Sequence, residues 1–150
     1  MTTTRMQLDP DVKRAGRRLG YTIAIGVNLV LLFVTNNIME WGWPPFLTEE
    51  FTAVIPWINF SLLASIIANV VYQFDDGVIT KGGGQLAINA ISVIVTYQML
   101  RVFPFDFSNY GFNWGIVTRV VLILAMVGAG IGAVAEAAKL IKATHEMERR

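Results

Sequence analysis

The chain contains no cysteine, a single histidine and few charged residues. The lack of cysteine excludes disulfides, thiolate metal sites, iron–sulfur clusters and a cysteine nucleophile. One histidine, His145, excludes a multi-histidine metal centre. Asp, Glu, Lys and Arg supply only 15% of the 150 residues, where soluble domains carry about 25%. Their near balance, a formal net charge of +1, excludes an overall polybasic nucleic-acid binder. No segment carries a catalytic constellation. The expectation is a protein that is not an enzyme, with no cofactor, no metal and no nucleic-acid partner.

What is present is apolar. Hydrophobic residues make up 54% of the chain, above the roughly 45–50% of soluble domains. A bilayer core about 30 Å thick takes about 20 apolar residues in a helix. Four stretches qualify, at about 19–38, 51–74, 85–103 and 114–138. The charges within these limits, Arg101, Arg119 and Glu136, all lie near an end. The fold class that follows is an all-α integral membrane protein with four transmembrane helices in an antiparallel bundle. A basic segment, 1–18, precedes the 19–138 membrane domain and a helical tail, 139–150, follows it.

Basic residues set the expected orientation. Arg5, Lys13, Arg14, Arg17 and Arg18 precede the first span, and Lys139, Lys142, Arg149 and Arg150 follow the last. The first loop has no Lys or Arg but holds Glu40, Glu49 and Glu50. Both termini are therefore expected in the cytoplasm, and an even number of spans agrees. All four tryptophans, Trp41, Trp43, Trp57 and Trp114, then fall at the outer face, as an interfacial belt does. The short loops and the absence of a targeting signal point to a multi-pass protein of a bacterial inner (cell) membrane.

Local signals fill in the ends. Asp9-Pro10 has the form of an N-cap followed by proline in the first turn, which starts a helix leading into the membrane. Pro56 suits the first turn of the second span. Two prolines make 40–46 a loop, folded against the headgroups. Residues 103–107 alternate aromatic with other residues, as extended chain does. That segment has no partner strand in view, and with the first outer loop it is expected to form an aromatic cap. The inner loop, 75–84, ends in Gly82-Gly83-Gly84, a flexible turn by composition. It is no phosphate-binding loop, because Lys81 precedes the glycines.

Polar residues inside the spans are the candidate site. Asn28, Asn59, Asn69, Asn89 and Thr96 lie in apolar helices. An unpaired amide in hydrocarbon is costly, so each must face another helix. Interhelical hydrogen bonding is the favoured role, at about 0.6–2 kcal/mol each. A polar path for a solute is the alternative. Depth along the helices places Asn69 level with Asn89. Arg119 has three candidate roles: snorkelling to the headgroups, pairing with Asp106, or holding an anion with Arg101.

Ala125, Ala129 and Ala133 recur every fourth residue, with Gly128 and Gly132 beside them. Small residues at that spacing mark close helix packing, within the chain or with a second copy. Lys13, Arg14, Arg17 and Arg18 share one side of a helix, a topology signal and a candidate contact for lipid headgroups. Lys142, Glu146 and Arg150 read as a solvated helix end. The expected partners are membrane lipids and either copies of the chain or a larger membrane complex. The expected role is structural or accessory. A small oligomeric channel or transporter is the second expectation.

Overall fold

The computed structural model describes residues 10–149. The readings placed on Arg5, Asp9 and Arg150 lie outside the described residues. Four helices fill most of the chain: α1 (Pro10–Trp41), α2 (Ile55–Phe74), α3 (Val78–Val102) and α4 (Trp114–Glu148). All four are long and apolar enough to cross a membrane. The 20 residues of α2 rise about 30 Å, the thickness of a bilayer core. The 32 residues of α1 and 35 of α4 rise about 48 and 52 Å. Both longer helices overhang at the end of the molecule that carries the termini.

The helices pack in chain order. α1 lies on α2, α2 on α3, and α3 most extensively on α4. Among the described residues α1 and α4 share no comparable packing. The expected antiparallel bundle is therefore an open row, with α1 and α4 as its edges. Few side chains are shielded: among the described residues Phe51, Val54, Leu62, Tyr72 and Pro104 are the buried apolar ones. On the edge helices Val30 and Phe33 are each 61% exposed and Leu124 and Ile131 are 65% and 66% exposed. Apolar faces of that extent suit hydrocarbon or another helix and not water.

Several helix ends depart from the sequence expectation. The second span starts at Ile55, with Pro56 in its first turn. Residues 49–53 before it form a short 3-10 turn that buries Phe51. The larger correction concerns the glycines. The third span starts at Val78, so Gly82, Gly83 and Gly84 are helical and the linker is only 75–77. Glycine costs a helix about 1 kcal/mol relative to alanine, but here it permits close approach. A β-carbon at Gly82 would meet Leu140, and one at Gly84 would meet the Tyr72 ring. Asp75 ties down the linker by accepting from Gly77 N at 2.9 Å and from the Thr80 hydroxyl.

At the opposite end the 103–107 segment does have a partner, again against expectation. Leu47 and Phe105 form an antiparallel β-bridge. Thr48 N donates to Pro104 O at 3.1 Å and Asp106 N to Phe46 O at 2.8 Å. The expected aromatic cap closes over this bridge: the Phe46 ring lies 5.2 Å from Phe107 and 6.4 Å from both Phe105 and Tyr110. All four tryptophans sit at this same end of the helices.

Candidate functional site

The polar side chains within the helices gather mainly along the α1–α2 seam. Near the termini, Gln73 Nε2 donates to Thr22 Oγ1 at 2.8 Å and to Arg18 O at 3.1 Å. In the middle, Asn28 Nδ2 donates to Ser65 Oγ at 3.2 Å and to Ala24 O at 2.7 Å. Asn69 Nδ2 donates to Ser65 O at 2.8 Å. Towards the cap, Asn36 and Asn59 exchange two amide hydrogen bonds, at 3.0 and 2.9 Å. The seam is a ladder of hydrogen-bonded rungs, and its amides are occupied within the chain.

Asn69 and Asn89 are not brought together. Asn69 bonds Ser65 on its own helix, whereas the Asn89 amide lies against α4, where a β-carbon on Gly132 would come within 2.8 Å of Nδ2. Equal depth does not imply contact, because the two side chains leave their helices in different directions. Thr96 donates to Ser92 O at 2.8 Å on its own helix. Asn36, Ser65 and Gln73 were not among the sequence candidates. Asn36 and Gln73 sit near span ends, and serine is unremarkable in an apolar helix. The available signal was register, since Ser65 lies one helical turn before Asn69.

The small residues of α4 divide between two faces. Ala129, Gly132 and Ala133 are partly buried, with Gly132 against Asn89 of α3. Ala125 and Gly128 are exposed, and a β-carbon at Gly128 would meet nothing within 4 Å. One part of the stripe therefore packs inside the chain and the other faces outward.

Arg119 makes no salt bridge with Asp106. Its guanidinium lies over the Phe103 ring, 4.1 Å from the centroid, a cation–π contact worth about 0.5–1 kcal/mol at an exposed site. Phe103 has the left-handed φ of 45° that ends α3, unusual for a bulky residue. The guanidinium on one side and the Phe105 ring at 5.5 Å hold it there. Asp106 instead accepts from Ser108 N at 2.9 Å, and Ser108 holds its carboxyl below the usual range.

At the termini end, Arg17 Nε bonds Asp76 Oδ2 at 2.6 Å and so ties α1 to the α2–α3 linker. That bond holds the Asp76 carboxyl below its ordinary range, with the charges of Arg17, Lys81 and Arg14 adding to it. Tyr72 Oη donates to Lys81 O at 3.2 Å, and its ring lies 5.6 Å from that of Tyr21. Lys81 Nζ stands 5.0 Å over the Tyr21 ring. Tyr21 Oη is buried without a hydrogen-bond partner among the described residues. Glu136 is held by Lys139 at 2.7 Å. Arg14 and Arg18 line a cavity beside the last turn of α2, and Lys13 is exposed.

The fold defines a class: an all-helical protein with four helices of membrane-spanning length and hydropathy. No family model, no characterised protein and no solved structure matches the chain.

Proposed function

We propose that this is a multi-pass protein of a bacterial inner membrane, with both termini cytoplasmic. Its role is structural or accessory and not catalytic, and it packs with copies of itself or with a larger membrane complex. The open row carries this reading. α1 and α4 are free edges, and the α4 edge presents Ala125 and Gly128 outward with open space beside them. Small residues let helix backbones approach closely, a benefit that fluid lipid does not use. Basic residues concentrated at the termini end and tryptophans at the other support the orientation.

The test is native mass spectrometry of the complex extracted gently from its own membrane. A stoichiometric foreign partner, or a defined homo-oligomer, is the expected result. Gly128→Leu is expected to dissociate it without loss of helicity. A monomer in every mild detergent would overturn the proposal. The second reading, a small oligomeric channel or transporter, draws on the polar ladder between α1 and α2. It requires that Asn28→Ala or Asn59→Ala abolish solute flux in vesicles while assembly persists.

A further inference from the structure

At the termini end, a cavity of about 230 Å³ opens between α1 and the last turn of α2, lined by Arg14, Arg18, Tyr72, Gln73, Phe74 and Asp76. Arg14 and Arg18 stand four residues apart, so they are neighbours on one helix face. Arg17 turns instead to Asp76, the carboxylate on the cavity wall, and pairs with it at 2.6 Å. That pair neutralises the wall's negative charge and leaves two guanidinium groups in excess. Gln73 bonds the backbone of α1 at Arg18 O and the hydroxyl of Thr22, which holds the two walls at a fixed separation. Phe74, on the same cavity, is 86% exposed.

We propose that this cavity binds the headgroup of an anionic phospholipid, with Arg14 and Arg18 on the phosphate and Phe74 against the acyl chain. Guanidinium groups match phosphate oxygens through paired hydrogen bonds. Basic pockets between membrane helices suit acidic headgroups. A bare phenyl ring beside the two cations distinguishes a lipid from a free anion, since inorganic phosphate has nothing to lay against it. Of the four basic residues at this end of α1, the cavity employs two. Arg17 is committed to Asp76, and Lys13 is not on the wall.

The test uses the full chain in a non-ionic detergent, with phosphatidylglycerol and phosphatidylcholine added in equal amounts. Bound lipid is counted by native mass spectrometry. The wild type is expected to retain phosphatidylglycerol in preference. At about 1 kcal/mol per basic side chain, the Arg14→Gln/Arg18→Gln variant loses about thirtyfold of that preference. Lys13→Gln removes the same kind of charge outside the cavity and keeps the preference. Phe74→Ser lowers retention of both lipids. If the double variant loses its helical spectrum, Arg14→Gln alone carries the test, with an expected loss of about fivefold. Equal retention of the two lipids by the wild type would overturn the proposal. So would an unchanged preference in the helical variants, or a Lys13→Gln effect as large as the double substitution. Displacement of bound phosphatidylglycerol by an equal concentration of inorganic phosphate would make this a free-anion site and refute the lipid assignment.

Discussion

Three consecutive glycines in α3 have three different surroundings, and alanine at each gives a different result. Gly83 faces open space, with nothing within 4 Å of a β-carbon. Gly83→Ala therefore gains helix propensity alone, up to about 1 kcal/mol of stability. At Gly82 the new carbon meets Leu140 Cδ2 at 2.8 Å and Cγ at 3.1 Å. Leucine can change rotamer, so clash and propensity roughly offset and the net effect lies within about 1 kcal/mol of zero. At Gly84 the carbon runs into the Tyr72 hydroxyl and meets ring atoms at 2.9 and 3.1 Å. Tyr72 is only 7% exposed and is backed by Tyr21 at 5.6 Å, so the rigid ring has nowhere to turn. Overpacking of that kind costs about 1–3 kcal/mol, and displacing the hydroxyl also breaks its bond to Lys81 O, worth about 1 kcal/mol. Reversible unfolding in mixed micelles, followed by circular dichroism, should rank the variants Gly83→Ala, Gly82→Ala, Gly84→Ala from most to least stable. Equal effects at all three would mean that 82–84 is a flexible turn, and the packing argument would be refuted. A Gly84→Ala protein more stable than the wild type would refute it as surely.

Two further predictions concern the same hairpins. Replacing Asn36 and Asn59 by alanine, singly and together, should give a coupling energy of about 0.6–2 kcal/mol in a double-mutant cycle; additive losses would show that the reciprocal amide bonds contribute nothing. Asp75 and Asp76 both have lowered carboxyl pKa values, Asp75 from the Thr80 and Gly77 hydrogen bonds and Asp76 from Arg17. A lowered folded pKa stabilises above the unfolded value, about 3.9, and that stabilisation is lost as pH falls through the folded value. Intrinsic-rate-corrected hydrogen-exchange protection of residues 81–84, the first amides of α3 with backbone acceptors, should therefore hold from pH 7 to 5 and fall below about 4, and Asp75→Asn should flatten that limb. Protection independent of pH in the wild type would contradict the role given to the linker.

The four helices were legible because about 20 apolar residues in a row have one economical solution in a bilayer. The linker was not. Gly82-Gly83-Gly84 has turn composition, and the close approach of Leu140 and Tyr72 that glycine permits at 82 and 84 is a matter of packing that local composition does not show. The α1–α2 partners were legible in principle and passed over. Antiparallel helices with equal rise pair residues in mirror order, and positions 17, 22, 28 and 36 do meet 76, 73, 65 and 59. Depth estimated from span ends places Asn69 level with Asn89, but depth carries no information about direction around the helix. The open edge was invisible, since apolar periodicity does not distinguish a lipid-facing side from a partner-facing one.

The α2–α3 seam is fastened twice: by the linker 75–77 with its Arg17–Asp76 clasp at one end, and by the Leu47–Phe105 bridge at the other. Between them α2 packs directly on α3, with Gly84 against the Tyr72 ring and Lys81 over the Tyr21 ring, while among the described residues α1 and α4 share no comparable packing. The molecule is built as a door hinge with a pin at top and bottom. Its two leaves meet along that one seam, so the orientation of α1 relative to α4 is set chiefly through α2 and α3.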